Sequence, residues 1–419
     1  MEKLIVRGGR RLEGSVRIGG AKNAALPEIA ASLLSPHPLT LHNLPDVADV
    51  ATMLALMAHY GVDVGERRGG SVTLDAASIR NGDAPYEAVR RMRATFLVLG
   101  PLLARFGSAR VSLPGGCAIG ARPVDLHLKA LTAMGATVSV EGGYVQASAP
   151  DGLTGARVIF PHSSVGATET ALMAAVLAKG ETELINAARE PEVADLVACL
   201  TAMGAKIEGA GAHRLLIQGG RTLRPARHEI LPDRIEAGTY AVAAAITGGH
   251  LELTGARLEQ LAAVGEALEA AGARLWPTDR GLMVARDGPL RSVDIVTEPY
   301  PGFPTDLQAQ FMALMACADG ASTIRETVFE NRFMHVLELG RMGAQITLQG
   351  STALVRGGAR LRGAPVMATD LRASVCLVLA GLAAEGETTI NRVYHLDRGY
   401  EALDAKLVRC GADIQRLPA

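Results

Sequence analysis

Aromatic residues are scarce in this chain: one Trp, seven Tyr and seven Phe make up 4% of its 419 residues. A core without large rings has to be filled by aliphatic side chains and by backbones that approach closely, and 47 glycines suit the second. Excess charge is also missing. With 42 basic and 43 acidic residues the formal net charge is −1, which gives no overall field to recruit nucleic acid or an acidic membrane face. Any basic site must be local. Long apolar runs are absent too; stretches such as residues 375–384 are too short to cross a bilayer. The first 14 residues carry Arg and Gly where a secretory leader would need an apolar centre. Five cysteines stand far apart with no CxxC pair, and ten histidines show neither HxH nor HExxH spacing. These absences exclude a disulfide framework and predict reduced thiols, a cytoplasmic location and no metal site. Hydrophobic residues at 48% and charged residues at 20% exclude extended disorder, and the length predicts two domains.

What the chain does have is an internal repeat. The phrase Leu128-Lys129-Ala130-Leu131-Thr132-Ala133-Met134-Gly135-Ala136 returns as Leu200-Thr201-Ala202-Met203-Gly204-Ala205. The same stop glycine stands at Gly61, Gly272, Gly343 and Gly411, so the six lie 68 to 74 residues apart. Before it, Leu196, Leu200 and Met203, or Leu403, Leu407 and Cys410, mark a helix with one buried stripe, and the glycine falls where a left-handed cap ends it. Between these phrases runs a second helix of small residues followed by a strand, as in residues 167–185, 237–253 and 371–390. Each unit therefore reads strand, helix, strand, helix, strand, strand, and six such units must bury their faces on one another.

The sixth copy ends one strand short, and the N-terminus offers the missing piece. Leu4-Ile5-Val6-Arg7-Gly8-Gly9 parallels Ala353-Leu354-Val355-Arg356-Gly357-Gly358. This predicts an α/β protein of two lobes, three units each. Residues 22–230 form one lobe, and residues 1–21 with 231–419 form the other. A ligand cleft is expected where the chain crosses between them.

Reactive residues gather at the starts of the small-residue helices: Lys22-Asn23, Arg93, Ser164 to Thr168, Asp233-Arg234, Thr305-Asp306 and Asp370-Leu371-Arg372. Asp, Ser and Thr there are ordinary helix caps. Lys22, Arg93 and Arg372 are not, because a cation opposes the positive end of the helix dipole unless an anion sits against it. The loops before the glycine-terminated helices add Arg122, Arg189, Arg332 and Arg398 at matching places, which suits a phosphate or carboxylate ligand. The second unit is the longest, and its extra residues form a glycine-rich loop, Pro114-Gly115-Gly116-Cys117-Ala118-Ile119-Gly120-Ala121-Arg122. Its shape is that of a segment able to close over a ligand. Cys199, Cys317, Cys376 and Cys410 fall in helices and read as small buried hydrophobes; Cys117 does not.

At these residues the chain resembles the UDP-N-acetylglucosamine 1-carboxyvinyltransferases, a family of enolpyruvyl transferases, over essentially its whole length. The resemblance is carried by Gly20-Ala21-Lys22-Asn23, Pro114-Gly115-Gly116-Cys117, Gly120-Ala121-Arg122-Pro123-Val124-Asp125-Leu126-His127 and Ser164-Val165-Gly166-Ala167-Thr168. Ala188-Arg189-Glu190-Pro191-Glu192, Phe303-Pro304-Thr305-Asp306, Phe329-Glu330-Asn331-Arg332-Phe333 and Asp397-Arg398-Gly399-Tyr400 complete it. It implies two inverse α/β barrels of three βαβαββ units each. It also implies transfer of the enolpyruvyl group of phosphoenolpyruvate to the 3-hydroxyl of UDP-N-acetylglucosamine, an early step of peptidoglycan synthesis. No metal and no organic cofactor is implied, and protein partners are left open. Carried over by motif, Cys117 is the general acid and the residue that fosfomycin alkylates, and Asp306 takes the proton of the sugar hydroxyl. Lys22 and Arg398 complete the catalytic set; with Asn23, Arg122 and Arg372 they hold phosphoenolpyruvate. The sugar nucleotide would meet Asn23, Arg93, Arg122, Pro123, Val124, Asp125, Leu126 and His127. From later segments it would meet His162, Ser163, Ser164, Val165, Gly166, Asp306, Val328 and Arg332. One departure stands out: some members carry Lys where this chain has His162, and a neutral imidazole offers less charge to a nucleotide.

Three other readings compete. The sister enzyme acting on shikimate 3-phosphate shares fold and reaction type but does not use the Cys117 loop. A silent paralogue that only binds sugar nucleotides would have no need of Cys117, Asp306, Lys22 and Arg398 together. A repeat scaffold leaves the cluster of cations unexplained.

Overall fold

The computed structural model describes residues 2–79, 92–114 and 123–418. These form two compact units, one of residues 2–19 and 232–418, the other of residues 20–79, 92–114 and 123–231.

In the unit containing the C-terminus, three helices occupy the centre: Arg234–Thr247, Gln308–Cys317 and Leu371–Ala383. Nearly every residue of all three is buried, as their all-round apolar, Ala-rich sequences require. Small residues let the backbones approach: a Cβ on Gly238 would strike Leu307, and one on Gly381 would crowd Val6. Three four-stranded sheets surround the helices, all wired alike. An edge strand lies parallel to the strand that follows the inner helix, and that strand pairs antiparallel with the second strand of a hairpin. The first sheet runs Glu13–Arg17, His250–Thr254, Gly281–Ala285, Arg274–Thr278. The second runs Ile295–Val296, Ala321–Arg325, Thr352–Arg356, Gln345–Gln349.

The third sheet shows how the N-terminus is used. Its order is Pro365–Met367, Glu387–Asn391, Glu2–Arg7, Asp413–Pro418, so the N-terminal strand takes the place that Thr352–Arg356 holds in its neighbour. Leu4 faces Ile390 across one edge, and Val6 faces Ile414 across the other. The paired glycines behave as their alignment predicts. Gly9 N–H donates to Leu382 O at 3.0 Å and Gly358 N–H to Ala318 O at 2.7 Å, each at the end of an inner helix.

The other unit repeats the plan with inner helices Lys22–Ala31, Leu99–Phe106 (entered through a 3-10 turn, Arg93–Val98) and Val165–Leu177. Its first sheet is completed by Ala226–Glu229, which returns to lie parallel to Leu39–His42. Arg157–Ile159 plays the same part beside Glu181–Ile185. Between these two, Ser108–Ser112, Tyr144–Ser148 and Thr137–Glu141 form a three-stranded sheet among the described residues. All six stop glycines have φ between +91° and +107°, where a side chain would be strained.

Of the cysteines, Cys199, Cys376 and Cys410 are buried, Cys317 is half-buried and all four are free thiols. No helix among the described residues is long and apolar enough to cross a membrane.

Candidate active site

The best-defined group of sequence-singled residues lies in the unit containing the C-terminus. Asp306 stands in a 3-10 turn, Thr305–Leu307, that leads into an inner helix. Arg372 is the second residue of another inner helix, and Arg332 follows the strand Ala321–Arg325. The two arginines grip the carboxylate from both sides: Arg332 Nη2 to Oδ1 at 2.7 Å and Arg372 Nη2 to Oδ2 at 2.8 Å. Both guanidinium groups are buried, at 8% and 4% side-chain exposure, and Asp306 keeps 22%. Burial pulls the Arg372 pKa down, but Asp306, together with Tyr400 and Asp233, more than compensates and holds it above its ordinary value.

A buried network fixes this arrangement. Arg372 Nη1 donates to the Tyr400 hydroxyl at 3.0 Å, which lies 3.0 Å from Thr239 Oγ1 and receives Gln310 Nε2 at 3.3 Å. Arg332 Nη1 donates to Thr305 Oγ1 at 2.9 Å. Thr305 in turn donates to Glu326 at 2.8 Å. The Glu326 carboxylate, 1% exposed, also accepts from Thr297 Oγ1 and from the backbone N–H of Val328 and Phe329. Glu326 thus orders the Asp306 turn and the Val328 segment together. Sequence reasoning missed it, although the pattern held a signal. Glu326 directly follows the strand Ala321–Arg325 and continues the inward parity of Ser322 and Ile324, so a carboxylate there has to be satisfied where it is buried.

Asp233 and Asp370 are helix caps. Asp233 accepts from the N–H groups of Ile235 and Glu236 at 2.8 and 3.0 Å, and Asp370 from those of Arg372 and Ala373 at 2.8 and 3.1 Å. Arg398 closes the 3-10 turn Val393–Arg398 and is half-buried. The next residue, Gly399, leaves room for the Leu371 side chain, which a Cβ there would push aside.

In the other unit, Lys22 opens its inner helix and is 9% exposed. Its ammonium lies 3.2 Å from Asp49 Oδ2, a partner that the sequence had not singled out. Asn23 follows, half-buried. Arg93 donates to Pro123 O at 3.2 Å, joining the start of the second inner helix to the segment Pro123, Val124, Asp125 and Leu126. His127 is buried: its Nδ1 lies 2.9 Å from Thr170 Oγ1, its ring meets Phe96 edge-on, and Gly166 leaves it room. Ser164 caps the third inner helix through Ala167 N–H at 3.4 Å. His162 is exposed beside the half-buried Ser163, Val165 and Gly166. Arg189 is exposed and donates to Gly211 O at 3.3 Å. Cys117 and Arg122 lie outside the described residues.

The structure therefore brings Asp306, Arg332 and Arg372 into one cluster. The helix-start cations Lys22 and Arg372, read as holding an outside anion, each meet a carboxylate of the chain itself. Such a group can hold charge in place and present a carboxylate of fixed direction.

The chain's relatives agree with one another. The profile of the EPSP synthase (3-phosphoshikimate 1-carboxyvinyltransferase) family matches residues 6–407. A protein of Mesorhizobium japonicum named UDP-N-acetylglucosamine 1-carboxyvinyltransferase 2 is 67% identical over 419 residues, covering 100% of both chains. The UDP-N-acetylglucosamine 1-carboxyvinyltransferase of Rhodospirillum centenum is 62% identical, covering 100% of this chain and 99% of its own. Among solved structures, the enolpyruvyl transferase NikO from Streptomyces tendae superposes with a TM-score of 0.85 at 28% identity, covering 100% and 99%. EPSP synthase from Acinetobacter baumannii does so at 0.77 and 19%, covering 100% of both, a likeness of fold.

Proposed function

The chain belongs to the EPSP synthase family, among its UDP-N-acetylglucosamine 1-carboxyvinyltransferases, and from that premise we propose that it moves the enolpyruvyl group of phosphoenolpyruvate to the 3-hydroxyl of UDP-N-acetylglucosamine, releasing phosphate. Identity of 67% across the full length of a relative so named is the observation that carries this reading over transfer to shikimate 3-phosphate. The reaction supplies the cell wall with its peptidoglycan precursor. Both substrates are charged metabolites of the cell interior, which assigns the protein to the cytoplasm.

The chemistry needs an acid, a base and fixed positive charge. Cys117 delivers a proton to the methylene carbon of phosphoenolpyruvate, leaving positive character on the adjacent carbon. The sugar oxygen attacks that carbon and loses its proton to Asp306. Phosphate then leaves, and a proton from the methyl group returns to the Cys117 thiolate, which restores the double bond. Both oxygens of Asp306 already accept from guanidinium groups. Its proton transfer therefore falls late, once the new C–O bond has made the sugar oxygen acidic. Lys22, Asn23, Arg122, Arg372 and Arg398 position the phosphoenolpyruvate anion, and Arg93, the segment 123–127, residues 162–166, Val328 and Arg332 take the sugar nucleotide. Mixing the protein with both substrates tests the reading. Phosphate release that requires the sugar nucleotide, and that fosfomycin and Cys117→Ala each abolish, is the expected result. Binding of UDP-N-acetylglucosamine without release would make the protein a sugar-nucleotide sensor instead.

A further inference from the structure

Away from the residues given roles above, the unit that contains Lys22 holds another polar group. Glu28 lies on the inner helix Lys22–Ala31, Asp195 on the helix Pro191–Ala202 and His228 on the edge strand Ala226–Glu229. His228 Nε2 is 3.1 Å from Asp195 Oδ1 and 3.4 Å from Glu28 Oε1, and one donor atom of each residue lies within 4.8 Å of the others. Asp195 spends its second oxygen on Leu231 N–H at 3.0 Å. Glu28 is 0% exposed, yet neither of its oxygens is in hydrogen-bonding geometry with any group, and His228 Nε2, though close to both carboxylates, is not in such geometry with either.

A buried carboxylate left without hydrogen bonds is costly, and one imidazole N–H cannot satisfy two carboxylates. A dication at the centre would satisfy all three groups at once. Donors about 2.0–2.1 Å from a tetrahedral zinc ion lie about 3.3 Å apart, and the two separations from His228 Nε2 straddle that distance. Two carboxylates also balance a double charge, and a nitrogen with two oxygens suits zinc and its first-row neighbours. We propose that Glu28, Asp195 and His228 form a binding site for a divalent transition-metal ion, with water in the fourth position. The ion fastens the returning edge strand to the helix whose first residues are Lys22 and Asn23. Local sequence spacing could not show it, because each ligand comes from a different segment.

The test uses the whole protein, stripped with chelator, dialysed against Zn2+ and freed of excess. Wild type should retain one zinc per chain that both Glu28→Gln and His228→Gln lose, with folding checked by circular dichroism. Glu28→Gln keeps the side-chain shape and removes a buried charge, so it serves if the histidine variant is unstable. At a hundredfold excess over the dissociation constant, zinc should raise the melting temperature of wild type by roughly 5–10 °C and leave the variants unmoved. No retained zinc, or equal retention by wild type and a folded Glu28→Gln protein, would overturn the proposal.

Discussion

Asp306→Asn separates two roles of one carboxylate. In the wild type it neutralises two guanidinium groups whose side chains are only 8% and 4% exposed. Removing one partner of a buried ion pair typically costs about 3–5 kcal/mol, because the remaining charge is stranded. Asp306 keeps 22% exposure, and an Asn oxygen still accepts from one arginine, so the lower end applies, about 3 kcal/mol. In a unit of this size each kcal/mol moves the melting temperature by about 2–4 °C, which gives a fall of roughly 6–12 °C. Differential scanning calorimetry measures it. Turnover should fall by about 10²–10⁴ if Asp306 also takes the sugar proton. Adding Arg372→Met to Asp306→Asn should cost less than the sum of the two changes, by about 1 kcal/mol or more. A melting temperature within about a degree of wild type, or strict additivity with Arg372→Met, would refute the claim that this carboxylate holds the two arginines in place.

Four further outcomes are expected. Burial pushes the His335 pKa down to about 4, with Asp370 opposing and Arg332 reinforcing the shift. Between pH 6.5 and 4 the unfolded chain therefore binds a proton that the folded chain does not, so His335 makes stability fall as pH falls, by up to about 3 kcal/mol. Thermal scans of His335→Gln should lose that part of the acid slope; an unchanged slope counts against it. A Cβ at Gly357 would overlap the carbonyl oxygen of Ala318, whereas one at Gly350 meets nothing. Urea titration should show Gly357→Ala losing about 2 kcal/mol or more, and Gly350→Ala, where only the left-handed φ of 56° resists, about 1. Glu326→Gln deprives Thr305 of its acceptor and should raise KM for the sugar nucleotide about tenfold, with a smaller change in kcat. Steady-state kinetics separates the two, and unchanged KM would remove Glu326 from the account. His162 is exposed, and His162→Lys should change nucleotide affinity while leaving turnover at saturation largely intact.

The repeat was legible because it is enforced by geometry that leaves a mark on composition. Each stop glycine sits at a positive φ that other residues avoid, and the inner helices are built largely of small and apolar residues that end up buried. The likeness of residues 4–14 to 353–363 showed that the first strand completes the last sheet, and the register of Glu2–Arg7 against Asp413–Pro418 is how it does so. Partnerships across the fold left no such mark. Asp306 meets Arg332 only when the chain after the next strand folds back, and Arg372 only when the neighbouring inner helix packs beside it. Asp49 lies in the first turn of the helix Ala48–His59 and reads as an ordinary dipole-matching acid until the fold sets it beside Lys22. Lys22 and Arg372, expected to hold an outside anion, each meet a carboxylate of the chain itself, and which one is a property of packing.

The proposed acceptor can be tested in a single tube. The protein is given phosphoenolpyruvate with equal amounts of UDP-N-acetylglucosamine and shikimate 3-phosphate, and the products are read by mass spectrometry. The account predicts the enolpyruvyl ether of the sugar nucleotide alone, formed in step with phosphate. An enolpyruvyl product on shikimate 3-phosphate, or no product from folded protein with Cys117 unmodified, would contradict it.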